Sequence, residues 1–158
     1  MLYPQQSRKL ADQEDTGQWH GKSTLGHDPT GKVLGILGMG GIGRVGCKLH
    51  LTQHMTRYPN IPQQFAHRAR AFGMKIQYHN RSRLPSEQEG DATYVPFEEL
   101  LATSDILSLN LSLNESTRHI IGTPEFQKMK AGVIVINTAR GALIDEKALV
   151  AAIESGKV

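Results

Sequence analysis

Cysteine and long apolar runs are nearly absent from this 158-residue chain. Cys47 is its single cysteine, which excludes an intramolecular disulfide framework and a cysteine-rich zinc site. No run approaches the length of a membrane-spanning helix, and charged residues stand near the N-terminus where a secretory signal would need an apolar core. We therefore expect a cytoplasmic protein with no membrane partner.

Aromatic residues are also scarce, at 6% of the chain. The net charge is +3, but the basic residues are scattered and no base-stacking aromatic pattern accompanies them. The sequence therefore does not favour a nucleic-acid partner. A hydrophobic content of 39% can supply one core but hardly two full domains. We expect one globular unit, with residues 1–30 as a lead-in or linker and residues 31–158 as the folded domain.

Short apolar segments alternate with helical patterns beyond residue 30. The predicted strands are residues 32–37, 74–78, 93–95, 105–111 and 132–137. The predicted helices are residues 65–73, residues 97–103, a helix capped at Thr123 with Pro124 in its first turn, and residues 145–155, closed by Gly156. Strands that alternate with helices indicate an α/β fold with a parallel sheet.

A glycine fingerprint of the form G-x-G-x-x-G follows the first predicted strand, with Gly41 and Ile42 inside it. Gly38 suits a tight turn, Gly40 allows the backbone to approach a pyrophosphate, and Gly43 allows close helix packing. A helix that starts there directs unpaired N–H groups at an anion. A glycine-rich turn of any α/β protein is the alternative, but the position after a strand favours a dinucleotide site.

The second predicted strand ends in the turn NRSR, residues 80–83, which holds no carboxylate. NAD-binding sites usually place an acidic side chain there to accept a hydrogen bond from the adenosine ribose. Arg81 beside Asn80, with help from Ser82 or Arg83, is instead suited to a 2′-phosphate. The turn therefore predicts a preference for NADP(H), with NAD(H) as a further possibility. The alternative is a solvated basic turn.

The distance between these two motifs is unusual, because Asn80 lies 37 positions after Gly43 and the usual separation is about 20. The surplus corresponds to residues 45–64, a polar stretch that contains Pro59 and Pro62. We expect an insertion there, which is either wrongly included untranslated sequence, such as a retained intron, or a genuine surface loop.

Several segments in order resemble the nucleotide-binding domain of D-isomer-specific 2-hydroxyacid dehydrogenases. They are GKVLGILGMGGIGR, RARAFGMKIQYHNRSRL, FEELLATSDILSLNL, TRHIIG and MKAGVIVINTARGALIDEKALVAAIESGKV. The turn YHNRSRLP is similar to the glyoxylate and hydroxypyruvate reductase branch. This resemblance implies a Rossmann-type, doubly wound parallel sheet and an oxidoreductase that acts on small 2-hydroxy or 2-keto acids.

The resemblance also assigns roles to individual residues. Arg140, in the NTARG segment, would hold the substrate carboxylate, polarise the carbonyl and border the cofactor. Thr138 and Ala139 would approach the nicotinamide, Leu111 would border the adenine, and Thr117 would help to hold the cofactor. Without the resemblance, Arg140 would be interpreted as a surface or helix-capping arginine.

In the resembling family a glutamate and an acid/base histidine follow the last segment present here, and the chain stops at Val158 before both. We expect an incomplete domain without its last strand and without the substrate domain. Two functions stay open: an oxidoreductase that moves a hydride between NADP(H) and a small acid such as glyoxylate or hydroxypyruvate, and a non-catalytic nucleotide-binding fragment or module. The resemblance also implies a homodimer.

Overall fold

The structure, a computed structural model, describes residues 28–40 and 61–158 of the chain. Gly41, Ile42 and Gly43 of the fingerprint lie outside the described residues, as do Cys47 and most of the expected insertion. None of the helices in the described ranges combines the length and the apolar character that a bilayer crossing requires.

The described residues form a five-stranded sheet in the order β3-β2-β1-β4-β5, and every strand pair in it is parallel. The strands are β1 Val33–Leu37, β2 Lys75–His79, β3 Thr93–Tyr94, β4 Ile106–Leu109 and β5 Ile134–Asn137. All five were predicted, with ends that differ by one or two residues. The strand order reverses between β1 and β4, which is the mark of a doubly wound sheet. The predicted Rossmann-type fold is confirmed.

The described part of the chain contains five helices and one 3₁₀ turn besides these strands. They are α1 Ile61–Ala71, α2 Ser86–Glu89, α3 Phe97–Thr103, α4 Thr123–Lys128, α5 Glu146–Glu154 and the 3₁₀ turn Gly141–Leu143. The predicted α3 has the observed bounds, and α5 is capped by Asp145, whose carboxylate accepts a hydrogen bond from Ala148 N at 3.0 Å. Helix α2 and the 3₁₀ turn were not predicted, because each is too short to show a helical period.

Helix α1 begins earlier than predicted, at Ile61 instead of Phe65. Pro62 is accommodated because the second position of a helix has no intrahelical partner for an N–H group. The helix also ends at Ala71, so Phe72 lies beyond it and is 64% exposed instead of packing on the buried face. Among the described side chains of α1, Pro62, Ala66 and Ala69 are buried.

The N-cap of α4 is Gly122, not Thr123 as the sequence predicted. Glu125 explains the difference, because its Oε2 accepts a hydrogen bond from Gly122 N at 2.9 Å. This is the return half of a capping box, which needs no side chain at the cap itself. Pro124 lies in the first turn as predicted.

Apolar side chains cover both faces of the sheet. One cluster packs Leu34, Ile36, Ile76 and Tyr78 against α1. The other contains Leu100 and Leu101 of α3, Leu107 and Leu109 of β4, and Phe126 of α4. This two-sided burial explains why β1 and β4 consist mainly of apolar residues without strict alternation.

Candidate dinucleotide site

Four loops leave the carboxyl edge of the sheet side by side. The register pairs Leu37 with both His79 and Leu109, and Leu109 with Asn137, so four strands end at the same level. The loops that follow β1 and β4 flank the point where the strand order reverses. In open α/β sheets, ligands bind in the crevice at this point.

Gly38 makes the turn that leaves β1. Its φ is +93°, and a Cβ there would lie 2.9 Å from both Asn110 O and Leu111 Cδ2. Its N–H donates to His79 O at 2.9 Å. A side chain is therefore excluded by conformation and by space together. Leu111, the predicted adenine contact, lies against this turn.

Asn80 connects the second loop to the glycine turn. Its Oδ1 accepts a hydrogen bond from Met39 N at 2.7 Å. Among the described atoms, only Nδ2 of Asn80 lies within 4 Å of a Cβ built on Gly40, at 3.9 Å. The Gly40 backbone is therefore open to a close ligand on the side seen here. The structure thus brings Gly38, Gly40 and Asn80 together and gives Asn80 a structural role in the turn.

The turn after β2 carries two arginines in different environments. Arg81 and Ser82 are exposed, and no side-chain hydrogen bond or ion pair joins Arg81 to another described residue. Arg83, in contrast, binds the Glu89 carboxylate through two nitrogens, at 2.8 and 3.0 Å. The guanidinium of Arg83 is the main cause of the lowered pKa of Glu89, with the Tyr78 hydroxyl second.

The loop after β4 is closed by its own polar groups. The Thr117 hydroxyl donates to Ser112 O at 2.7 Å and accepts from Asn114 N at 2.8 Å. Asn114 Oδ1 in turn accepts from Ser116 N and Thr117 N, at 3.0 and 3.1 Å. Thr117 therefore shapes this loop.

The loop after β5 holds Thr138, Ala139 and Arg140. Asn137 brackets it, because its Oδ1 accepts from Ala139 N at 3.1 Å and its Nδ2 donates to Arg140 O at 2.9 Å. Thr138 and Arg140 are exposed, and Ala139 is half-buried. One Arg140 Nη donates to Ala139 O at 2.8 Å, which leaves most of the five guanidinium N–H groups for a ligand.

The loops after β4 and β5 are joined to each other. His119 N donates to Ala142 O at 2.8 Å, and Ile121 N donates to Leu143 O at 3.1 Å. His119, at the end of the loop after β4, is exposed and has a positive φ of 52°. Arg140 therefore lies on a segment whose two ends are tied to neighbouring backbone.

The sequence predictions missed two residues that hold these loops, Asn137 and Glu89. Asn137 had a usable signal, since an asparagine directly after a strand commonly bonds the backbone two residues on. Glu89 had none, because its partners Tyr78 and Arg83 are 11 and 6 residues away in a fold that the local pattern does not show.

A glycine turn without space for a side chain, at the switch point of a doubly wound parallel sheet, defines a dinucleotide-binding domain of the Rossmann type. The family model described as "D-isomer specific 2-hydroxyacid dehydrogenase, NAD binding domain" matches residues 58–158. The chain belongs to this family, and the matched domain is the one that binds the nicotinamide dinucleotide.

Individual relatives agree with this assignment. The chain is 68% identical over 142 residues to 4-methyl-2-oxopentanoate reductase A of Aspergillus oryzae and 46% identical over 137 residues to glyoxylate reductase 1 of Saccharomyces cerevisiae. Those alignments cover 90% and 86% of this chain. The fold matches the crystal structure of a glyoxylate reductase from Paecilomyes thermophila with a TM-score of 0.76 at 59% identity, over 97% of this chain.

The chain spans only part of each of these proteins. It covers 37% of the Aspergillus protein, 34% of the Saccharomyces protein and 41% of the Paecilomyes chain. The likeness therefore concerns the nucleotide-binding region.

Proposed function

We propose that this chain is the NAD(P)-binding domain of an oxidoreductase that transfers a hydride between NADP(H) and a small 2-hydroxy or 2-keto acid. The main support for this proposal is the proximity of three residues at the switch point of the sheet, Gly38, Asn80 and Leu111. The names of the relatives support the substrate class, because they are reductases of 4-methyl-2-oxopentanoate and of glyoxylate.

The described residues fit a dinucleotide. The Gly38 turn and the Gly40 backbone suit a pyrophosphate, and Leu111 beside Gly38 suits the flat apolar face of an adenine. Thr138 and Ala139, at the carboxyl end of β5, suit the nicotinamide end. When bound, the cofactor supplies the hydride, and the protein residues bind and orient the two reactants.

The preference for NADP(H) rests on the turn after β2. Arg81 is exposed there beside Ser82, and the buried carboxylate near them, Glu89, is already bound to Arg83. An exposed guanidinium attracts a 2′-phosphate through charge-assisted hydrogen bonds, whereas a free carboxylate would repel it.

Arg140 is the residue proposed to act on the substrate. A planar guanidinium can bind a carboxylate through two N–H groups and stabilise negative charge on a neighbouring carbonyl oxygen. The bracket formed by Asn137 holds the Arg140 backbone at the edge of the crevice. A carboxylate beside the carbonyl is the feature shared by all 2-keto acids.

The test is a calorimetric titration of the purified chain with NADPH and with NADH. We expect tighter binding of NADPH, and we expect Arg81→Ala to weaken NADPH binding about 10- to 100-fold with little effect on NADH, because a hydrogen bond to a charged group contributes about 1.5–3 kcal/mol. Arg68→Ala, which removes an exposed arginine of α1, is the matched control. An unchanged affinity ratio in Arg81→Ala would refute the NADP(H) assignment.

Turnover separates the enzyme from the alternative, a non-catalytic nucleotide-binding module. NADPH oxidation is followed after glyoxylate is added to the chain that has bound NADPH, and Arg140→Ala serves as the comparison. Turnover that disappears in Arg140→Ala supports the oxidoreductase, whereas saturable NADPH binding without turnover supports the binding module for this chain.

We also propose the domain boundaries, the cellular location and the oligomeric state that the sequence analysis predicted. They are a lead-in over residues 1–30, an insertion at about residues 45–64, a cytoplasmic location and a homodimer. The structure includes residues 61–64 in α1, so this helix overlaps the end of the proposed insertion. Sequencing of the transcript tests the insertion, and a dominant message that carries the segment in frame would argue for a genuine loop.

A further inference from the structure

A polar network centred on a buried carboxylate supports the turn that carries Arg81. Its centre is Glu89, a carboxylate of α2 that is 8% exposed. The fully buried Tyr78 of β2 donates its hydroxyl hydrogen to Glu89 Oε1, and Arg83 binds both oxygens of the same carboxylate. Two side chains, one from a strand and one from a turn, therefore meet at the carboxylate of a helix residue.

The network holds the turn at both ends. Tyr78 lies two residues before the turn, and its Oη also accepts a hydrogen bond from Leu84 N, at 3.0 Å, directly after the turn. Arg83 is attached between these points through Glu89. The backbone between Tyr78 and Leu84 is thus fixed at its start, near its end and at its last residue, with Arg81 and Ser82 at its exposed tip.

The charges of the network are matched. Hydrogen bonds from Arg83 and then from Tyr78 hold the pKa of Glu89 below its usual range, so Glu89 is ionised at neutral pH. The pKa of Tyr78 is raised, first by burial and then by its hydrogen bond to Glu89, so the tyrosine keeps its proton. The positive charge of Arg83 is therefore neutralised within the network, while that of Arg81 is not.

We infer that Tyr78, Glu89 and Arg83 are positioning residues that fix the turn so that Arg81, and not Arg83, presents its guanidinium to the 2′-phosphate. The inference rests on the proposed NADP(H) preference and deepens it, because it separates two arginines that the sequence treats alike. A fixed backbone lowers the entropy that Arg81 loses when it binds a phosphate.

The competing role for Arg83, that of a phosphate ligand, predicts a different result for Glu89→Gln. If Arg83 positions the turn, then Arg83→Ala and Glu89→Gln both loosen it and both lower the preference for the 2′-phosphate. If Arg83 is itself a phosphate ligand, then Arg83→Ala lowers the preference, whereas Glu89→Gln releases Arg83 and leaves the preference equal or higher. The glutamine keeps the shape of the side chain and removes its charge.

The experiment measures the dissociation constants of 2′,5′-ADP and 5′-AMP, which differ only by the 2′-phosphate, on the purified full chain. We expect Glu89→Gln and Arg83→Ala each to lower the affinity ratio about 3- to 10-fold, and the double variant to lower it no further, as for two residues of one network. The affinity for 5′-AMP should stay unchanged, which a general loss of folding would not allow. Glu98→Gln, which breaks the exposed ion pair with Lys128 in α4, is the matched control.

Tyr78→Phe is the second variant, for use if Glu89→Gln does not fold. It keeps the buried ring and removes the hydroxyl that binds Glu89 and Leu84 N, so we expect a lower affinity ratio and faster hydrogen exchange at the Leu84 amide. A ratio that is equal or higher in Glu89→Gln, or in Tyr78→Phe, would overturn the positioning role.

The failure of the proposed cofactor preference gives a different result. Equal affinities of the unchanged chain for the two nucleotides, or an unchanged ratio in Arg81→Ala, would overturn that preference and this inference with it. A third result is that Arg81→Ala abolishes the difference in affinity between the two nucleotides and Glu89→Gln does not lower it. This result would support the NADP(H) preference and overturn only the role of the network.

Discussion

The two ends of the parallel sheet are held by different chemistry. At the amino end, the Asp105 carboxylate accepts hydrogen bonds from Val33 N and from Lys130 Nζ, both at 2.8 Å. At the carboxyl end, neutral amides bracket the loops: Asn80 binds Met39 N, and Asn137 binds the backbone on both sides of the loop after β5. At the amino end Asp105 and Lys130 pair with each other. At the carboxyl end Arg83 is paired with Glu89, whereas Arg81 and Arg140 form no ion pair with another described residue.

This difference follows from what each end must do. An ion pair between partly buried side chains neutralises both partners, so it can tie strands together but cannot attract an anion. An amide side chain fixes the backbone without adding charge. Loops fixed in this way can present Arg81 and Arg140 to a phosphate or a carboxylate. We therefore expect substitutions at the amino end to alter stability alone, and substitutions at the carboxyl end to alter stability and binding together.

The largest effect is expected for Gly38→Ala at the carboxyl end. A Cβ there would meet Asn110 O and Leu111 Cδ2 at 2.9 Å, in a backbone conformation that L side chains rarely adopt. Strain and overpacking together should cost about 3 kcal/mol of the free energy of unfolding. NADPH binding should be lost as well, because the turn itself must move.

Gly132→Ala is the matched control at the amino end. Gly132 also has a positive φ, +72°, but a Cβ there meets nothing within 4 Å among the described residues. The loss should be about 1 kcal/mol, from backbone strain alone, with NADPH binding retained. Urea denaturation measures both variants, and equal losses would show that crowding at Gly38 is not the cause.

Asp105→Ala should have the next largest effect, confined to stability. It leaves Val33 N and Lys130 without their shared acceptor, and hydrogen bonds to a charged group contribute about 2 kcal/mol. Asp91→Ala removes an exposed carboxylate whose distance to Arg70 Nε is 3.9 Å and should have almost no effect. A change in the affinity ratio of NADPH to NADH in Asp105→Ala would contradict the separation of the two ends.

The contribution of Asp105 should depend on pH in a stated direction. Burial opposes ionisation, but the hydrogen bonds from Lys130 and Val33 N outweigh it and hold the pKa of Asp105 below its usual value. A carboxyl whose pKa is lower in the folded state stabilises the fold above its unfolded pKa, about 3.9. The stability difference between the unchanged chain and Asp105→Asn should therefore be constant near neutral pH and shrink below about pH 4.

The sequence was sufficient for most of the fold. Alternating apolar and helical segments predicted the five strands and α3, since periodicity and start signals are local properties. Helix α2 was not predicted, because its four residues are too few to show a helical period. Asp105 was expected to begin a strand, and its carboxylate instead caps the first strand from 72 residues away.

The candidate site was predictable only as far as it is local. Gly38, Asn80 and Arg81 lie within short motifs, so their positions at the carboxyl edge follow from the fold. The different states of Arg81 and Arg83 do not, since Arg83 is distinguished by Glu89, whose approach depends on how α2 packs against β2. Side chains that hold a loop are chosen by tertiary contacts, which a single sequence does not display.

The smallest effect is expected for Asn137, the bracket of the loop after β5. Asn137→Ala removes one acceptor from Ala139 N and one donor to Arg140 O, in a half-buried place where water replaces part of the loss, so the cost should be about 1 kcal/mol. Asn137→Asp keeps the acceptor and loses only the donor. Hydrogen exchange should therefore become faster at the Ala139 amide in Asn137→Ala and stay slow in Asn137→Asp. Equal exchange rates in the two variants would mean that the Asn137 side chain does not hold this loop. Other contacts would then have to fix the loop after β5 at the carboxyl end of the sheet.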